Sequence, residues 1–341
     1  MKNILLQLAE KKSFTETEMQ EAIQEILDGD ISESEIAAFL MGLKSKGETV
    51  QEIAGIVRAL KENTLKFTNK IPNVLDNCGT GGDGSSSFNV STTSAFVIAA
   101  AGIPVAKHGN RSISSKTGSA DVLEYLGVNL NLSVETTEEI LQEIGIAFLY
   151  APHVHPKLKK VMSVRKQLKI PTIFNFIGPL TNPIDLEYQL LGVYRRDLLK
   201  PFAEVLQSLG RKRATIINGA GYMDEASLQG ENHLAILRES VITVQSFFPE
   251  DIGLPRYENS SIKGGDAHEN ADILLNVLKG EKGAYYDTVL LNAGIGIFTA
   301  GKAETIQTGI RTAIECIESG AAYEKLRLLI NKTSSGQRKA I

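Results

Sequence analysis

Residues 76–93 read Asp76-Asn77-Cys78-Gly79-Thr80-Gly81-Gly82-Asp83-Gly84-Ser85-Ser86-Ser87-Phe88-Asn89-Val90-Ser91-Thr92-Thr93. They follow a predicted strand at 73–76 and lead into an apolar helix predicted at 92–101. Glycines allow the backbone to fold tightly and turn its N–H groups toward an anion, which a helix N-terminus also favours. The stretch therefore predicts a phosphate or pyrophosphate loop. A purely structural turn is the alternative, because serine and threonine also cap helices locally.

Two better-known phosphate motifs fit this loop poorly. Gly79, Gly81 and Gly84 satisfy the spacing G-x-G-x-x-G, but the helix does not begin at once. About 20 residues later, where a dinucleotide site needs an acid, the chain has Lys107 and His108. A Walker A loop requires a lysine where this chain has a serine. A dinucleotide fold and a P-loop are both disfavoured.

Short β-rich runs alternate with helices through the rest of the chain. Predicted strands lie at 73–76, 104–107, 146–150, 189–194, 214–218, 233–237 and 241–246, and predicted helices at 92–101, 120–126, 136–144, 198–209 and 271–277. Such alternation is typical of a largely parallel sheet with helices on both faces. A proline-containing run at 164–183 interrupts it, and the polar tail at 331–341 is expected to fray.

The first 66 residues are predicted to be helical. Three capping-box pairs open three stretches of helical periodicity, namely Thr15 with Glu18, Ser32 with Glu35, and Thr49 with Glu52. Gly29 and Gly47 end the first two, and each helix has an apolar stripe that a bundle or a partner subunit must cover. The predicted fold class is α/β. A small N-terminal helical domain at 1–70 stands beside a larger domain at 71–341, whose mostly parallel central sheet is flanked by helices.

The composition indicates a globular, cytoplasmic protein. Of 341 residues, 43% are hydrophobic and 22% are charged, which excludes disordered, collagenous and coiled-coil classes. A net charge of −4 gives no general cationic field for nucleic acid. Cys78 and Cys316 form no CxxC pair, which favours a reducing compartment. No signal peptide and no membrane span are predicted.

Two further polar loops follow predicted strands. Lys107-His108-Gly109-Asn110-Arg111, with Ser119 beyond it, brings cations and hydroxyls to a strand end. Because neighbouring parallel strands share one crevice at their carboxyl ends, this second loop is expected to face the glycine loop. Asp224-Glu225 follows another apolar strand, and magnesium typically uses one or two carboxylates together with substrate phosphates. The acidic pairs at 138–139 and 250–251 are expected to be solvated instead.

A third polar group, His153-Val154-His155, follows the predicted strand at 146–150. No third ligand at a useful spacing supports a metal site here, so contact with an organic substrate is preferred. Arg165 lies ten residues beyond His155. Its guanidinium could bind a substrate carboxylate in a fork geometry, or it could pair with a surface acid.

Taken together, these motifs resemble the anthranilate phosphoribosyltransferases of tryptophan biosynthesis. The matching runs, in the family's order, are Gly79-Thr80-Gly81-Gly82-Asp83, Asn89-Val90-Ser91-Thr92, Lys107-His108-Gly109-Asn110-Arg111, Gly178-Pro179-Leu180-Thr181-Asn182-Pro183 and Asp224-Glu225. The similarity covers nearly the whole chain. The related pyrimidine nucleoside phosphorylases share the architecture, but this chain lacks the lysine- and serine-bearing phosphate motif expected of them.

The resemblance implies a reaction, a metal and a set of site residues. Anthranilate attacks C1 of phosphoribosyl pyrophosphate and releases pyrophosphate, with two magnesium ions bound. Gly79, Gly82, Asp83, Asn89, Ser91, Thr92, Lys107 and Ser119 would bind phosphoribosyl pyrophosphate; Gly79, His108, Asn110, His155 and Arg165 would bind anthranilate; and Ser91, Asp224 and Glu225 would bind magnesium. No general base is assigned, and His108 is the one candidate considered.

The resemblance also implies a homodimer formed through the helical domain, which a segment at about 164–185 would complete. Two competing functions stay open. A non-catalytic nucleotide- or nucleic-acid-binding relative should have lost the acidic pair or the Asp83 loop and gained a basic groove, whereas this chain keeps the acids and is net negative. An NAD-dependent enzyme is the other alternative, and titrating the chain with NAD and with phosphoribosyl pyrophosphate would separate the two.

Overall fold

The computed structural model describes residues 1–111 and 116–335, and its chain opens with helices. These are α1 (Lys2–Ala9), α2 (Glu16–Asp28), α3 (Glu33–Lys46) and α4 (Val50–Glu62). All three predicted capping boxes are present, because Thr15, Ser32 and Thr49 each exchange hydrogen bonds with the glutamate three residues later. Gly29 and Gly47 end α2 and α3 as predicted. Helix α1 has no side-chain cap and lies outside the three predicted stretches.

The larger part of the chain is built on one seven-stranded sheet. Its strands are β1 (Leu75–Gly79), β2 (Val105–Gly109), β3 (Ile146–Tyr150), β4 (Tyr188–Gly192), β5 (Arg213–Asn218), β6 (Asn232–Arg238) and β7 (Val241–Phe247). The order is β3-β2-β1-β4-β5-β6-β7, with β1 to β5 parallel and β6 and β7 antiparallel. The mostly parallel sheet is confirmed, and each observed strand overlaps its prediction. The chain runs outward from β1 in one direction and from β4 in the other, so these two strands flank the switch point.

Helices cover this sheet on both sides. They are α5 (Val90–Ala100), α6 (Ser119–Tyr125), α7 (Val134–Ile144), α8 (Ala151–Val154), α9 (Lys159–Leu168), α10 (Leu199–Ser208), α11 (Ala267–Leu278), α12 (Ala284–Thr299), α13 (Ile306–Glu318) and α14 (Ala321–Ser335). All five predicted helices are present, but α8, α9, α12, α13 and α14 were not among them, and α9 extends into the proline-containing run at 164–183. The expected fraying of the tail is wrong up to Ser335, because α14 continues to that residue and buries Thr333. Within the described ranges, no helix is both long and apolar enough to cross a membrane.

The sheet separates two hydrophobic cores. Neighbouring residues of β4 show this, because Leu190 belongs to the core that contains α5 and α12, and Leu191 to the core on the opposite face. The second core joins α10 to the N-terminal helices through residues such as Phe202 and Ile56, and it also takes in Phe176 of the proline-containing run. The helical bundle is therefore packed continuously with one face of the sheet. The exact division at residue 70, with a completing segment at 164–185, stays a prediction.

Glu138 of α7 ties the linker between α4 and β1 to the α/β part. Its Oε1 accepts hydrogen bonds from the N–H groups of Thr68 at 2.6 Å and Asn69 at 3.0 Å, and its Oε2 accepts from Nδ2 of Asn69 at 2.7 Å. The expectation that this acid is solvated is wrong, because Glu138 is 3% exposed. Glu139 and the acidic pair at 250–251 are exposed, as expected.

Candidate active site

The glycine loop leaves β1 at the switch point of the sheet, where Gly79 pairs with Gly192 of β4. A Cβ on Gly79 would lie 2.4 Å from Oδ2 of Asp224, and a Cβ on Gly192 would lie 1.6 Å from the carbonyl oxygen of Asp224. Three later glycines adopt left-handed backbone angles, with φ of +67° at Gly81, +81° at Gly82 and +73° at Gly84. The loop therefore needs glycine for two reasons, close approach and backbone conformation.

Three carboxylates meet at this loop. Oδ2 of Asp224 accepts a hydrogen bond from the N–H of Gly81 at 2.6 Å, and the N–H of Asp224 donates to Oδ2 of Asp83 at 3.4 Å. Burial raises the pKa of Asp224 well above its usual range, and the negative charges of Asp83 and Glu225 raise it further. Burial also raises the pKa of Glu225, against the attraction of Lys107. Crowded carboxylates of this kind favour the binding of a cation.

The side chains at this point suit magnesium. Asp224, Glu225 and the hydroxyl of Ser91, which hydrogen-bonds Glu225, all offer oxygen atoms, the ligands that Mg²⁺ prefers. Across residues 1–111 and 116–335, no three acidic, histidine or cysteine side chains are close enough to hold an ion by themselves. Magnesium sites in phosphate-using enzymes typically combine one or two carboxylates with substrate phosphate oxygens. The acid pair matches a site of that shared kind.

The first turn of α5 adjoins the acid pair through Ser91, whose carbonyl oxygen accepts a hydrogen bond from Nδ2 of Asn77 at 2.8 Å. Thr92 is buried, and its hydroxyl has no hydrogen-bond partner among the described residues. Asn89, which precedes the helix, accepts from Nδ2 of Asn270 at 2.9 Å. A helix N-terminus with an unsatisfied hydroxyl is well suited to an anion.

Lys107 of β2 brings positive charge to the same edge of the sheet. Its side chain is 3% exposed, and Nζ donates to the carbonyl oxygen of Asn77 at 3.1 Å. Its charge acts on both Asp76 and Glu225. Burial raises the pKa of Asp76 to about 6, and Lys107 opposes that rise. The ammonium group is therefore held close to the glycine loop.

His108 and His155 form a second group, with ring centroids 5.4 Å apart. Nδ1 of His108 lies 3.2 Å from the carbonyl oxygen of Gly178, and Nε2 of His155 lies 3.3 Å from Oγ1 of Thr181. Burial lowers the pKa of His108 to about 3, with His155 adding to the effect, and burial lowers the pKa of His155 to about 4. Both rings are therefore neutral at pH 7. Since Nδ1–H of His108 donates to Gly178, its Nε2 carries a lone pair, which is buried and has no partner in the described structure.

Arg165 lies on α9 and contacts neighbouring residues of the same segment. Nη2 donates to Oδ1 of Asn175 at 3.2 Å, Nη1 lies 3.0 Å from Sδ of Met162, and the guanidinium carbon lies 5.6 Å from the ring centroid of Phe174. Burial lowers the pKa of this guanidinium. No carboxylate of the described chain forms an ion pair with it, so its charge is available to a ligand.

The second polar loop is held by its own backbone and by α6. Oδ1 of Asn110 accepts from the N–H of Arg111 at 2.7 Å, and its carbonyl oxygen accepts from Oγ of Ser119 at 3.2 Å. Arg111 forms ion pairs with Asp121 at 2.7 Å and Glu124 at 2.5 Å. The serines that the sequence places between Arg111 and Lys116 lie outside the described residues.

Hydrogen bonds connect the glycine loop, the acid pair, Ser91 and Lys107 into one group, and the two buried histidines into a neighbouring group. Arg165 is not bonded to either. Asp76 lies next to both groups, because it precedes the glycine loop and its Oδ1 accepts a hydrogen bond from the N–H of His108 at 3.2 Å. Its other carboxylate oxygen is held by Asn182, to which the sequence analysis assigned no role. Its Nδ2 donates to Oδ2 of Asp76 at 3.0 Å and to the carbonyl oxygen of Ala106 at 2.8 Å. It joins the proline-containing run to β1 and β2, and its place in the Gly178–Pro183 motif was the signal for it in the sequence.

Models of two glycosyltransferase domains match the chain. Residues 71–323 match the model described as "Glycosyl transferase family, a/b domain", and residues 2–64 match "Glycosyl transferase family, helical bundle domain". Together with the fold, these matches show a two-domain member of the glycosyltransferase class.

Comparison with individual relatives narrows the class to one enzyme family. An anthranilate phosphoribosyltransferase of Bacillus cereus (strain B4264) is 57% identical over 330 residues, which is 97% of each chain. The crystal structure of that enzyme from Thermus thermophilus is 38% identical, with a TM-score of 0.92 over 97% of this chain and 99% of that one. The Saccharomyces cerevisiae enzyme, in complex with PRPP and Mg, is 28% identical, with a TM-score of 0.87 over 94% of both chains. The chain belongs to the anthranilate phosphoribosyltransferase family. The expected family, transferase activity and α/β fold with a helical domain are thereby confirmed.

Proposed function

We propose that the cleft beside Gly79 and Gly192 carries out the reaction of this family on its two substrates. The 5-phosphoribosyl group passes from phosphoribosyl pyrophosphate to the amine of anthranilate, giving N-(5-phosphoribosyl)anthranilate and pyrophosphate, the second step committed to tryptophan biosynthesis. The observation that carries the proposal is the convergence of a glycine loop with buried Asp224, whose Oδ2 lies 2.6 Å from the N–H of Gly81. That geometry occurs at the sheet's switch point, where open α/β sheets bind ligands.

Phosphoribosyl pyrophosphate is assigned to the glycine-loop group. Gly79 and Gly82 let the backbone approach the diphosphate, Lys107 supplies a fixed cation, and the unpartnered Thr92 hydroxyl supplies a donor at a helix N-terminus. The complete proposed set is Gly79, Gly82, Asp83, Asn89, Ser91, Thr92, Lys107 and Ser119. Pyrophosphate leaves with growing negative charge, so stabilisation of that charge is the main demand on the protein.

Ser91, Asp224 and Glu225 would hold magnesium, which fits their oxygen donors and the raised pKa values of both acids. Magnesium held by these residues would supply charge neutralisation for the departing pyrophosphate. The yeast relative's complex with PRPP and Mg supports magnesium use. Two ions per site stay part of the proposal.

Anthranilate is assigned to the histidine group and Arg165, together with Gly79 and Asn110. The neutral ring of His108 presents a buried Nε2 lone pair, and Arg165 presents a guanidinium without an ion-pair partner among the described residues. The aromatic amine is already neutral and nucleophilic, so positioning is the principal requirement. No strong base is assigned, and Nε2 of His108 is the candidate acceptor for the amine proton. A second structure of the yeast relative is a complex with 4-fluoroanthranilate, which supports this substrate class.

The loss of anthranilate fluorescence on addition of phosphoribosyl pyrophosphate and magnesium tests the function. The double variant Asp224→Asn with Glu225→Gln should turn over far more slowly and show altered magnesium dependence while it remains folded. The exposed pair provides a matched control, since Glu250→Gln with Asp251→Asn makes the same chemical changes away from the cleft. Wild-type magnesium dependence in the 224–225 variant would refute the metal assignment.

We also propose a homodimer formed through the helical domain of residues 1–70, completed by about 164–185, in a cytoplasmic protein. Leu6 on α1, Met41 on α3 and Ile170 after α9 are 56%, 40% and 36% exposed. Helix α3 packs beside both α1 and α9, so a partner could cover these side chains together. Light scattering should report a monomer for Leu6→Lys with Met41→Lys, whereas Val244→Lys on the exposed edge strand should leave the dimer intact.

A further inference from the structure

Tyr222 holds an unusual position in the turn that carries the acid pair. It lies two residues before Asp224, has φ of +61°, and is 59% exposed. A bulky side chain with a left-handed backbone is strained and persists only when its surroundings fix it. A hydrogen bond closes the turn, since the N–H of Gly219 donates to the carbonyl oxygen of Met223 at 2.9 Å. The side chain of Met223 is buried on the inner side of the turn. The ring of Tyr222 therefore projects on the outer side of a tightly closed turn.

Arg196 covers that ring. Its guanidinium carbon lies 5.1 Å from the ring centroid of Tyr222, within the range of a cation–π contact. Nε of Arg196 donates to Oδ1 of Asn218 at 3.1 Å. Asn218 is itself fixed, since it is fully buried and its Nδ2 donates to the carbonyl oxygen of Val193 at 2.8 Å. Within the described residues no carboxylate forms an ion pair with Arg196, so a buried amide and an aromatic face are what hold it.

This contact joins the two loops that border the reaction centre. Arg196 belongs to the connection that follows Gly192, the last residue of β4, and Tyr222 belongs to the connection that follows β5. Asp224 packs between Gly192 and Gly79 and accepts the hydrogen bond from Gly81. A movement of Tyr222 would therefore shift the carboxylate against both the glycine loop and β4.

We propose that Arg196 and Tyr222 form a clamp that sets the position of the Asp224–Glu225 turn from outside the cleft. Both are positioning residues and act through the turn rather than on the substrate. The inference rests on the proposed role of the acid pair in binding phosphoribosyl pyrophosphate with magnesium. It adds two residues that none of the motifs of the cleft includes.

A double-mutant cycle tests the clamp. The variants are Arg196→Gln, Tyr222→Leu and both together, where leucine keeps the backbone strain but removes the ring. Calorimetry should show that each single change weakens the binding of phosphoribosyl pyrophosphate with magnesium about two- to fivefold, the size expected for a cation–π contact. The double variant should be no weaker than either single variant, because both remove the same contact. Tyr222→Phe keeps the ring and should bind as the wild type does.

Two further readouts separate positioning from general stability. The KM for anthranilate and the melting temperature should be nearly unchanged in all four variants. Arg256 and Phe248 provide a control cycle, because the guanidinium carbon of Arg256 lies 5.3 Å from the ring centroid of Phe248. Changes to this pair should leave the binding of phosphoribosyl pyrophosphate unaffected.

Additive effects of the two changes would overturn the clamp, as would losses that follow the melting temperature. An effect of Arg196→Gln with none from Tyr222→Leu would instead mean that Arg196 contacts the diphosphate directly, and the clamp would again be wrong. A wild-type protein that fails to bind phosphoribosyl pyrophosphate would refute the proposed function itself, so the two failures are distinguishable.

Discussion

Gly79 has no space for a side chain because the Asp224 carboxylate occupies it, with 2.4 Å between a built Cβ and Oδ2. Gly79→Ala should displace that carboxylate from the N–H of Gly81 and weaken phosphoribosyl pyrophosphate binding about tenfold or more, the size of one lost charge-assisted hydrogen bond. Calorimetry measures the effect. Gly230→Ala is the control, because its Cβ would meet only ordinary contact at 3.6 Å. Unchanged affinity in Gly79→Ala would make the loop a structural turn.

Substitution of Arg165 should affect the two substrates differently. If its guanidinium binds the anthranilate carboxylate, Arg165→Ala should raise the KM for anthranilate roughly 10- to 150-fold. This factor corresponds to the loss of about 1.5–3 kcal/mol of binding free energy from one charge-assisted hydrogen bond. Phosphoribosyl pyrophosphate should bind nearly as before, because Lys107 and the glycine loop are not bonded to Arg165. Arg165→Lys should rescue only in part, since an ammonium lacks the planar fork.

The contacts of Arg165 in the structure suggest an alternative, purely structural role. The side chain bonds Asn175 and stacks on Phe174, so it could simply hold the proline-containing run. In that case Arg165→Ala should lower the melting temperature and weaken both substrates together. Steady-state kinetics measured beside a thermal melt separates the two roles.

Among the elements, the α4–β1 linker depends on a single buried acid. Glu138→Ala would leave three N–H donors of Thr68 and Asn69 without their acceptor, at a cost of about 1–3 kcal/mol or more. We expect a melting temperature lower by several degrees, measured by scanning calorimetry. Glu139→Ala, one residue further on the exposed side of α7, should melt like the wild type. Equal melting temperatures for the two variants would mean that the linker does not need this carboxylate.

Elements whose signals are local could be predicted from the sequence. Capping boxes use residues three apart, so Thr15, Ser32 and Thr49 each mark a helix start without knowledge of the rest of the chain. Helix α12 gave no such signal, because it is buried on nearly all sides and lacks a polar stripe. Glu138 was misjudged for a related reason. Its partners lie about 70 residues away, and no short-range pattern shows them.

At the scale of the whole molecule, the site depends on contacts between distant parts of the chain. Strand alternation and five motifs indicated a crevice at the strand ends, and the switch point between β1 and β4 lies there. The sequence could not show that Asn182 binds Asp76 across 106 residues, or that Arg196 stacks on Tyr222. Both contacts arise only when the sheet brings separate loops together.

Acid conditions should act on the whole molecule through its buried histidines. His155 has a pKa lowered by burial to about 4, against a usual value of 6.5. Its neutral form is favoured in the folded state, so its contribution to stability is present above pH 6.5 and is lost as the pH falls through 4. His108 changes stability with pH in the same direction as His155. Asp76, whose pKa is raised to about 6, has the opposite effect, because protonation removes its buried negative charge.

His155→Gln isolates one of these contributions, since glutamine does not titrate and can still bond the Thr181 hydroxyl. From pH 7 to pH 5 the wild type should lose about 2 kcal/mol of unfolding free energy relative to this variant, as two pKa values of about 4 and 6.5 require. Urea unfolding at both pH values measures the difference. His153→Gln, which changes an exposed residue two positions earlier, should follow the wild type at both. If the His155 variant also loses stability in parallel with the wild type, His155 is not held neutral by the fold, and its place beside His108 has to be reassigned.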